Sequence, residues 1–208
     1  EDERQHYEEQ IWDLPCTVCY EEPFGDEYGL KATSLPPLRK NGYVTFGTYC
    51  RYEKTSEKCV RVFAKILQRV EDSKLLLKDA VYHRPYSLRR IIDIMKEEGI
   101  PQERLLFSQA TSHADHLLAY QQSDIILDPF PHVGGVVGME QLYMGVPMVA
   151  RYGPHCGSRT TASVLTAIGR PEWIAKDEDE YVEIAVRMAE DPKGMAEARK
   201  VLRKQLME

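Results

Sequence analysis

The stretch DIILDPFPHVGGVVGMEQLYMGVPMVA, residues 124–150, decides the fold. An apolar run at 125–127 leads into a turn rich in proline and glycine, then a helix expected to begin near Gly138, then a second apolar run at 148–150. This is a strand, loop, helix, strand unit with glycines where the helix starts. Gly134 and Gly135 leave the backbone without side-chain cover, so an anion could reach free N–H groups at the positive end of the helix dipole. Spacing alone leaves two readings open, a phosphate cradle and a plain turn.

The same alternation extends in both directions. Strands are expected at 43–46, 75–77, 105–107, 125–127 and 148–150, with a last short one near Trp173. Helices are expected over 55–70, through Leu88 and Met95, after Ser112, from Arg159 to Ile168, after Asp177, and from Asp191 onward. Within 55–70, Cys59, Phe63, Ile66 and Val70 recur at helical spacing and share one face. Gly99 suits a left-handed helix stop, and Ser112/Asp115 and Asp177/Glu180 have the spacing of capping boxes. Strands separated by helices imply an α/β fold, a Rossmann-like parallel sheet with helices on both faces and ligands at the carboxyl ends of the strands. Residues just past those ends are Arg51, Lys54, Thr111 through His116, and Gly134 through Glu140.

Composition narrows the partners. With 208 residues, 43% hydrophobic and 29% charged, the chain can bury one substantial core. A net charge of −6 offers no basic stripe for a phosphate backbone, so nucleic acid is excluded as a partner. No apolar run approaches the roughly 18 residues that a membrane helix needs, and the charged start does not read as a signal peptide. The expected compartment is the cytoplasm. Residues 1–13 predict a short exposed helix, and 15–42, with Pro15, Pro23, Gly25, Gly29, Pro36, Pro37 and Gly42, read as a linker. The domain proper is placed at 43–208.

Three motifs are set aside. Five cysteines are an odd number and suggest reduced thiols; the Cys16/Cys19 pair has no second pair to complete a zinc site. Asp177 and Asp179 match the DxD pattern that binds metal in some glycosyltransferases, but their position caps a helix. Gly134, Gly135 and Gly138 do not form GxGxxG, and Arg151 stands where a nicotinamide or flavin fold requires an acid. No metal or cofactor is expected.

DPFP, the glycine pair and GMEQLYMGVPMV, followed by SRTTASVLTAIG at 158–169 and IAKDEDEYVEIAV at 174–186, carry a specific resemblance. So does NGYVTFGTYCRYEKTSE at 41–57. Together they resemble the C-terminal catalytic half of the O-linked N-acetylglucosamine transferase and SPINDLY family of peptide glycosyltransferases. The resemblance implies the nucleotide-sugar-binding lobe of a GT-B enzyme that transfers a sugar with inversion and without metal. The implied donor is UDP-N-acetylglucosamine and the acceptor a protein Ser or Thr. GDP-fucose transfer of the SPINDLY type and a non-catalytic nucleotide-binding scaffold stay as alternatives. An N-terminal lobe and helical repeats of the same protein are further implied partners, with residues 1–42 trailing from that lobe.

The resemblance also assigns roles. Lys54 matches the catalytic lysine that contacts the donor diphosphate, and Arg51 a polar residue of the same pocket. His116 matches a histidine of the nucleotide site, while Thr111 and His113 match the loop that meets the base, His113 replacing a lysine. Glu140 stands where relatives bind ribose through aspartate. Gly134, Gly135, Val136, Val137 and Gly138 form the phosphate loop, but Gly135, Val136 and Val137 replace a histidine and two threonines. Valine has no hydroxyl to donate, so backbone N–H groups must serve alone.

Overall fold

The computed structural model describes residues 3–12, 30–33 and 35–208. Six parallel strands form its centre: β1 (Thr45–Thr48), β2 (Lys74–Lys78), β3 (Leu105–Ser108), β4 (Ile125–Leu127), β5 (Met148–Arg151) and β6 (Ile174–Ala175). Their spatial order is β3-β2-β1-β4-β5-β6. Phe46 pairs with Leu75 on one side and Ile125 on the other, so β1 and β4 are central neighbours. The order reverses between them, which opens a crevice beyond their carboxyl ends. Both central strands are buried on both faces, which is why they read as short unbroken apolar runs.

The helices are α1 (Leu38–Asn41), α2 (Glu57–Arg69), α3 (Pro85–Glu97), α4 (His113–Ala119), α5 (Val136–Tyr143), α6 (Thr160–Ala167), α7 (Glu178–Ala189) and α8 (Pro192–Met207). Right-handed crossovers place α2 and α3 over one face and α5 and α6 over the other. The packing agrees: α2 contacts α3 and α7, whereas α5 contacts α6 and α8. Cys59, Phe63 and Ile66 of α2 are fully buried, as the helical spacing predicts, and Phe63 stacks near Tyr181 of α7. Among the described residues, no helix is long and apolar enough to cross a membrane.

Several local expectations are corrected. Among its described residues the N-terminal segment holds a 3-10 turn, Glu3–His6, in place of the expected helix, because the charged residues there have no packed face to extend one. Most of the 15–42 segment, with Cys16 and Cys19, lies outside the described residues; its end contains α1, closed by Gly42 at φ 76°. Ser112 caps α4 through the Asp115 N–H, but its hydroxyl donates to the Asp115 carboxylate, so that carboxylate does not complete a reciprocal box. Asp177 caps α7, accepting from the Glu180 N–H, while Glu180 reaches past it to accept from the Lys176 N–H. The acidic Asp177 is thereby committed to the helix, and Asp179 faces solvent.

Gly47 fixes the approach of α4 to the sheet. A Cβ at this position would lie 2.1 Å from the Ser123 Oγ and 2.8 Å from the Tyr49 ring. Those two side chains share a 2.8 Å hydrogen bond, and the Tyr49 hydroxyl also lies 2.8 Å from the Ala119 carbonyl at the end of α4.

Candidate functional site

The loop after β1 carries Arg51 and Lys54 through a 3-10 turn, Tyr52–Lys54. Lys54 ends this turn and does not open a helix, since α2 starts at Glu57 behind the Ser56 cap. A cation in the first turn of a helix would oppose the dipole, and this position avoids that cost. Its half-buried side chain crosses to the loop after β4, where Nζ donates to the Val133 carbonyl at 2.7 Å. The next amide along, Gly134 N–H, donates to Asp128 Oδ1 at 2.9 Å. One peptide group is thus held at its oxygen by a lysine and at its nitrogen by an aspartate.

The helix that follows starts two residues earlier than expected. Gly135 is its N-cap at φ 68° and ψ −127°, a conformation open to glycine and strained for other residues, and Val136 and Val137 are its first residues. The Gly138 N–H already bonds back to the Gly135 carbonyl, so the N–H groups left over at this terminus belong to the valines. Val136 is 58% exposed, placing an apolar side chain at the mouth of the loop. Gly138 is turned inward toward Thr161 and Met148, and acts in packing.

The second group of residues lies along α5. Glu140 is the fifth helical residue, beyond the first turn where the dipole acts most strongly. Side chains hold its buried carboxylate instead. Tyr120 donates to Oε2 at 2.7 Å, and His113 Nε2 lies 3.0 Å from Oε1. Burial and the adjacent Glu140 charge push the Tyr120 phenol well above its ordinary range, keeping it a donor. His116 is half-buried, edge-on to Tyr120 at 5.0 Å and to Tyr49 at 6.2 Å. Burial and the nearby Lys78 charge lower its pKa, so the neutral imidazole is favoured.

Lys54, Gly134, Gly135, Val136 and Val137 are therefore assembled at one end of α5, with His113, His116 and Glu140 along its flank. Arg51 and Thr111 are exposed at the rim, and among the described residues no hydrogen bond ties their side chains to this assembly. Three buried residues join the site unannounced: Asp128, Tyr120 and Lys78. Asp128 and Lys78 stand at or just beyond the ends of β4 and β2, where the strand-end rule could have found them. Lys78 donates to the Gln109 carbonyl and so anchors the loop that bears Thr111. Tyr120 had no such signal, being one apolar-face residue among several.

Comparison with known proteins gives the family. The pattern of Glycosyl transferase family 41 matches residues 38–208. A curated relative, the probable UDP-N-acetylglucosamine–peptide N-acetylglucosaminyltransferase SPINDLY of Arabidopsis thaliana, is 33% identical over 97% of this chain and 22% of its own length. The Caenorhabditis elegans UDP-N-acetylglucosamine–peptide N-acetylglucosaminyltransferase is 31% identical over 75% of this chain and 13% of its own. The chain thus spans about a fifth or less of these relatives. Among solved structures, a mutant of the Thermobaculum terrenum O-GlcNAc transferase superposes with a TM-score of 0.77 at 29% identity, covering 80% of this chain and 32% of that one. Sucrose-phosphate synthase from Thermosynechococcus elongatus shares the fold alone, with a TM-score of 0.62 at 15% identity over 86% of this chain and 46% of that one. The sheet order, the glycine loop and the match over 38–208 together establish that the chain belongs to glycosyl transferase family 41, as a Rossmann-like lobe of the GT-B type.

Proposed function

We propose that this chain is the donor-binding lobe of an inverting protein O-glycosyltransferase that moves N-acetylglucosamine from UDP to a Ser or Thr hydroxyl. The observation that carries the reading is the convergence of the Lys54 ammonium on the glycine loop that starts α5. A diphosphate placed there meets a cation and the outward N–H groups of a helix terminus. As the sugar leaves, negative charge grows on that diphosphate, and donors already in position stabilise it without reorganisation. The printed names of the peptide N-acetylglucosaminyltransferase relatives support the choice of donor.

The remaining residues supply orientation. Glu140, already fixed by Tyr120 and His113, keeps unused lone pairs that can accept from ribose hydroxyls. The loop through Thr111 offers backbone groups to the base, and neutral His116 presents an aromatic edge beside it. Acceptor contacts and the general base belong to parts of the protein beyond these residues. Peptide glycosylation by the 208 residues alone would contradict that division.

Calorimetric titration with UDP, UDP-N-acetylglucosamine, GDP and GDP-fucose tests the reading. Binding of the two uridine ligands is expected. Preference for GDP-fucose would reassign the donor to fucose, and silence toward all four would leave a scaffold. The exposed Val136 is the observation that favours the scaffold, because no hydroxyl lines the mouth of the loop there. Introducing Val136→Thr and Val137→Thr is expected to tighten UDP binding by about 0.5–1.5 kcal/mol per new donor. Calorimetry on the double variant measures this, and unchanged affinity would mean that the backbone alone holds the phosphates.

A further inference from the structure

The buried carboxylate beneath the glycine loop has no role in the reading above. Asp128 follows β4 at 1% exposure, with its backbone locked: its N–H bonds to the Val149 carbonyl, and its carbonyl accepts from the Tyr181 hydroxyl. Only its side chain can respond to the loop. Oδ1 accepts from the Gly134 N–H, whereas Oδ2 is buried and among the described residues has no hydrogen-bond partner. Thr161 Oγ1, from α6, is likewise buried and unpartnered. Among the described residues neither atom meets hydrogen-bond geometry, yet the Thr161 hydroxyl is near enough to favour the Asp128 carboxylate.

We propose that Asp128 is a positioning residue for the donor diphosphate, holding the Val133–Gly134 peptide against Lys54 and taking up a proton when the diphosphate binds. The proposal rests on the diphosphate site described above. The peptide is gripped at both ends, so a shift at Asp128 moves the carbonyl that steers the Lys54 ammonium. A side chain at position 134 would crowd this grip, since a Cβ on Gly134 would lie 2.8 Å from Asp128 Oδ1.

The direction of the proton follows from the surroundings. Burial pushes the Asp128 carboxyl up to about 7, against the opposing influence of the Thr161 hydroxyl, the Gly134 N–H and the Lys54 charge. Among the described residues, the other titratable groups around it are Cys50 beyond β1, Cys59 on α2 and Tyr181 on α7. Burial raises all three, leaving them neutral thiols and a neutral phenol, so Lys54 is the single opposing charge among them. A diphosphate engages that ammonium and adds negative charge above the loop. Both changes disfavour the Asp128 carboxylate, so its pKa rises on binding and a proton is taken up. Protonated at Oδ2, Asp128 still accepts from Gly134 through Oδ1 and can donate to Thr161 Oγ1.

Three measurements test this. Calorimetry of UDP binding in buffers of differing ionisation enthalpy, between about pH 7 and 8.5 where the terminal phosphate is already ionised, reads proton uptake directly. Uptake is expected in the wild type and absent in Asp128→Asn, which imitates the protonated acid. Asp128→Ala, which frees the Gly134 amide, is expected to weaken UDP binding by about tenfold, with Asp128→Asn recovering most of that loss. Without any ligand, the Gly134 amide resonance should titrate near neutrality in the wild type and stay flat in Asp128→Asn. A flat wild-type resonance, or equal proton uptake in wild type and Asp128→Asn, overturns the proposal even where UDP binds. If the resonance titrates but neither UDP nor GDP binds, the nucleotide reading itself fails, and the proposed ligand linkage falls with it.

Discussion

Lys54→Ala is expected to weaken UDP binding about tenfold to more than a hundredfold, the equivalent of roughly 1.5–3 kcal/mol for a lost charge-assisted contact. Two losses combine in this variant. The ammonium facing the diphosphate disappears, and so does the 2.7 Å tether to the Val133 carbonyl that draws the glycine loop toward it. The fold should survive, because the backbone bond from the Lys54 N–H to the Arg51 carbonyl is untouched and the side chain is only half-buried. Stability should fall by about 1 kcal/mol or less, the net worth of one hydrogen bond. Calorimetry with UDP, together with thermal unfolding of the same samples, separates these effects. Undiminished UDP affinity in folded Lys54→Ala would remove the proposed site.

Gly47→Ala should be among the costliest single methyls at the described positions. The new Cβ would meet the Ser123 Oγ at 2.1 Å and the Tyr49 ring at 2.8 Å, both far inside van der Waals contact. Neither neighbour can retreat freely. Tyr49 is buried and bonded to Ser123 and to the end of α4, and Ser123 is fully enclosed. The overpacking penalty should reach about 3 kcal/mol, the upper part of the usual range. For a chain of this length that corresponds to a fall in Tm of roughly 6–12 °C. The damage should also reach the nucleotide, since the displaced Tyr49 supports His116 and Tyr120, and Tyr120 in turn holds Glu140. A thermal melt within a degree or two of the wild type would show that α4 is not braced through Tyr49.

The sheet was readable from sequence because its strands are short apolar runs between strongly periodic helices, and Ile125–Leu127 even falls within the expected bounds. Helix starts were harder. The onset of α5 at Val136 depends on a positive φ at Gly135, which any of the neighbouring glycines could have supplied. The onset of α2 likewise reads in sequence as 55, two residues before Glu57, because the turn Tyr52–Lys54 runs almost directly into the Ser56 cap. Within the site, residues brought by loops at strand ends were legible, whereas the partners of Glu140 were not. His113 at the start of α4 and Tyr120 just past its end reach it, a contact across elements that no local spacing encodes. Asp128 was visible only as part of a turn motif, because its importance comes from burial that arises when α6 and α7 close over it.

The adjacency of β1 and β4 has a consequence for how the molecule matures. Lys54 and Val133 are separated by 79 residues, and the strands that deliver their loops meet only when the two halves of the sheet join. Contacts so distant in sequence form late, after much loop entropy has been lost. A partly assembled chain could hold either half of the sheet and still have no grip on a nucleotide. Ligand binding would thus sense the completed fold alone, and saturating nucleotide should slow hydrogen exchange jointly in the amides of β1 and β4.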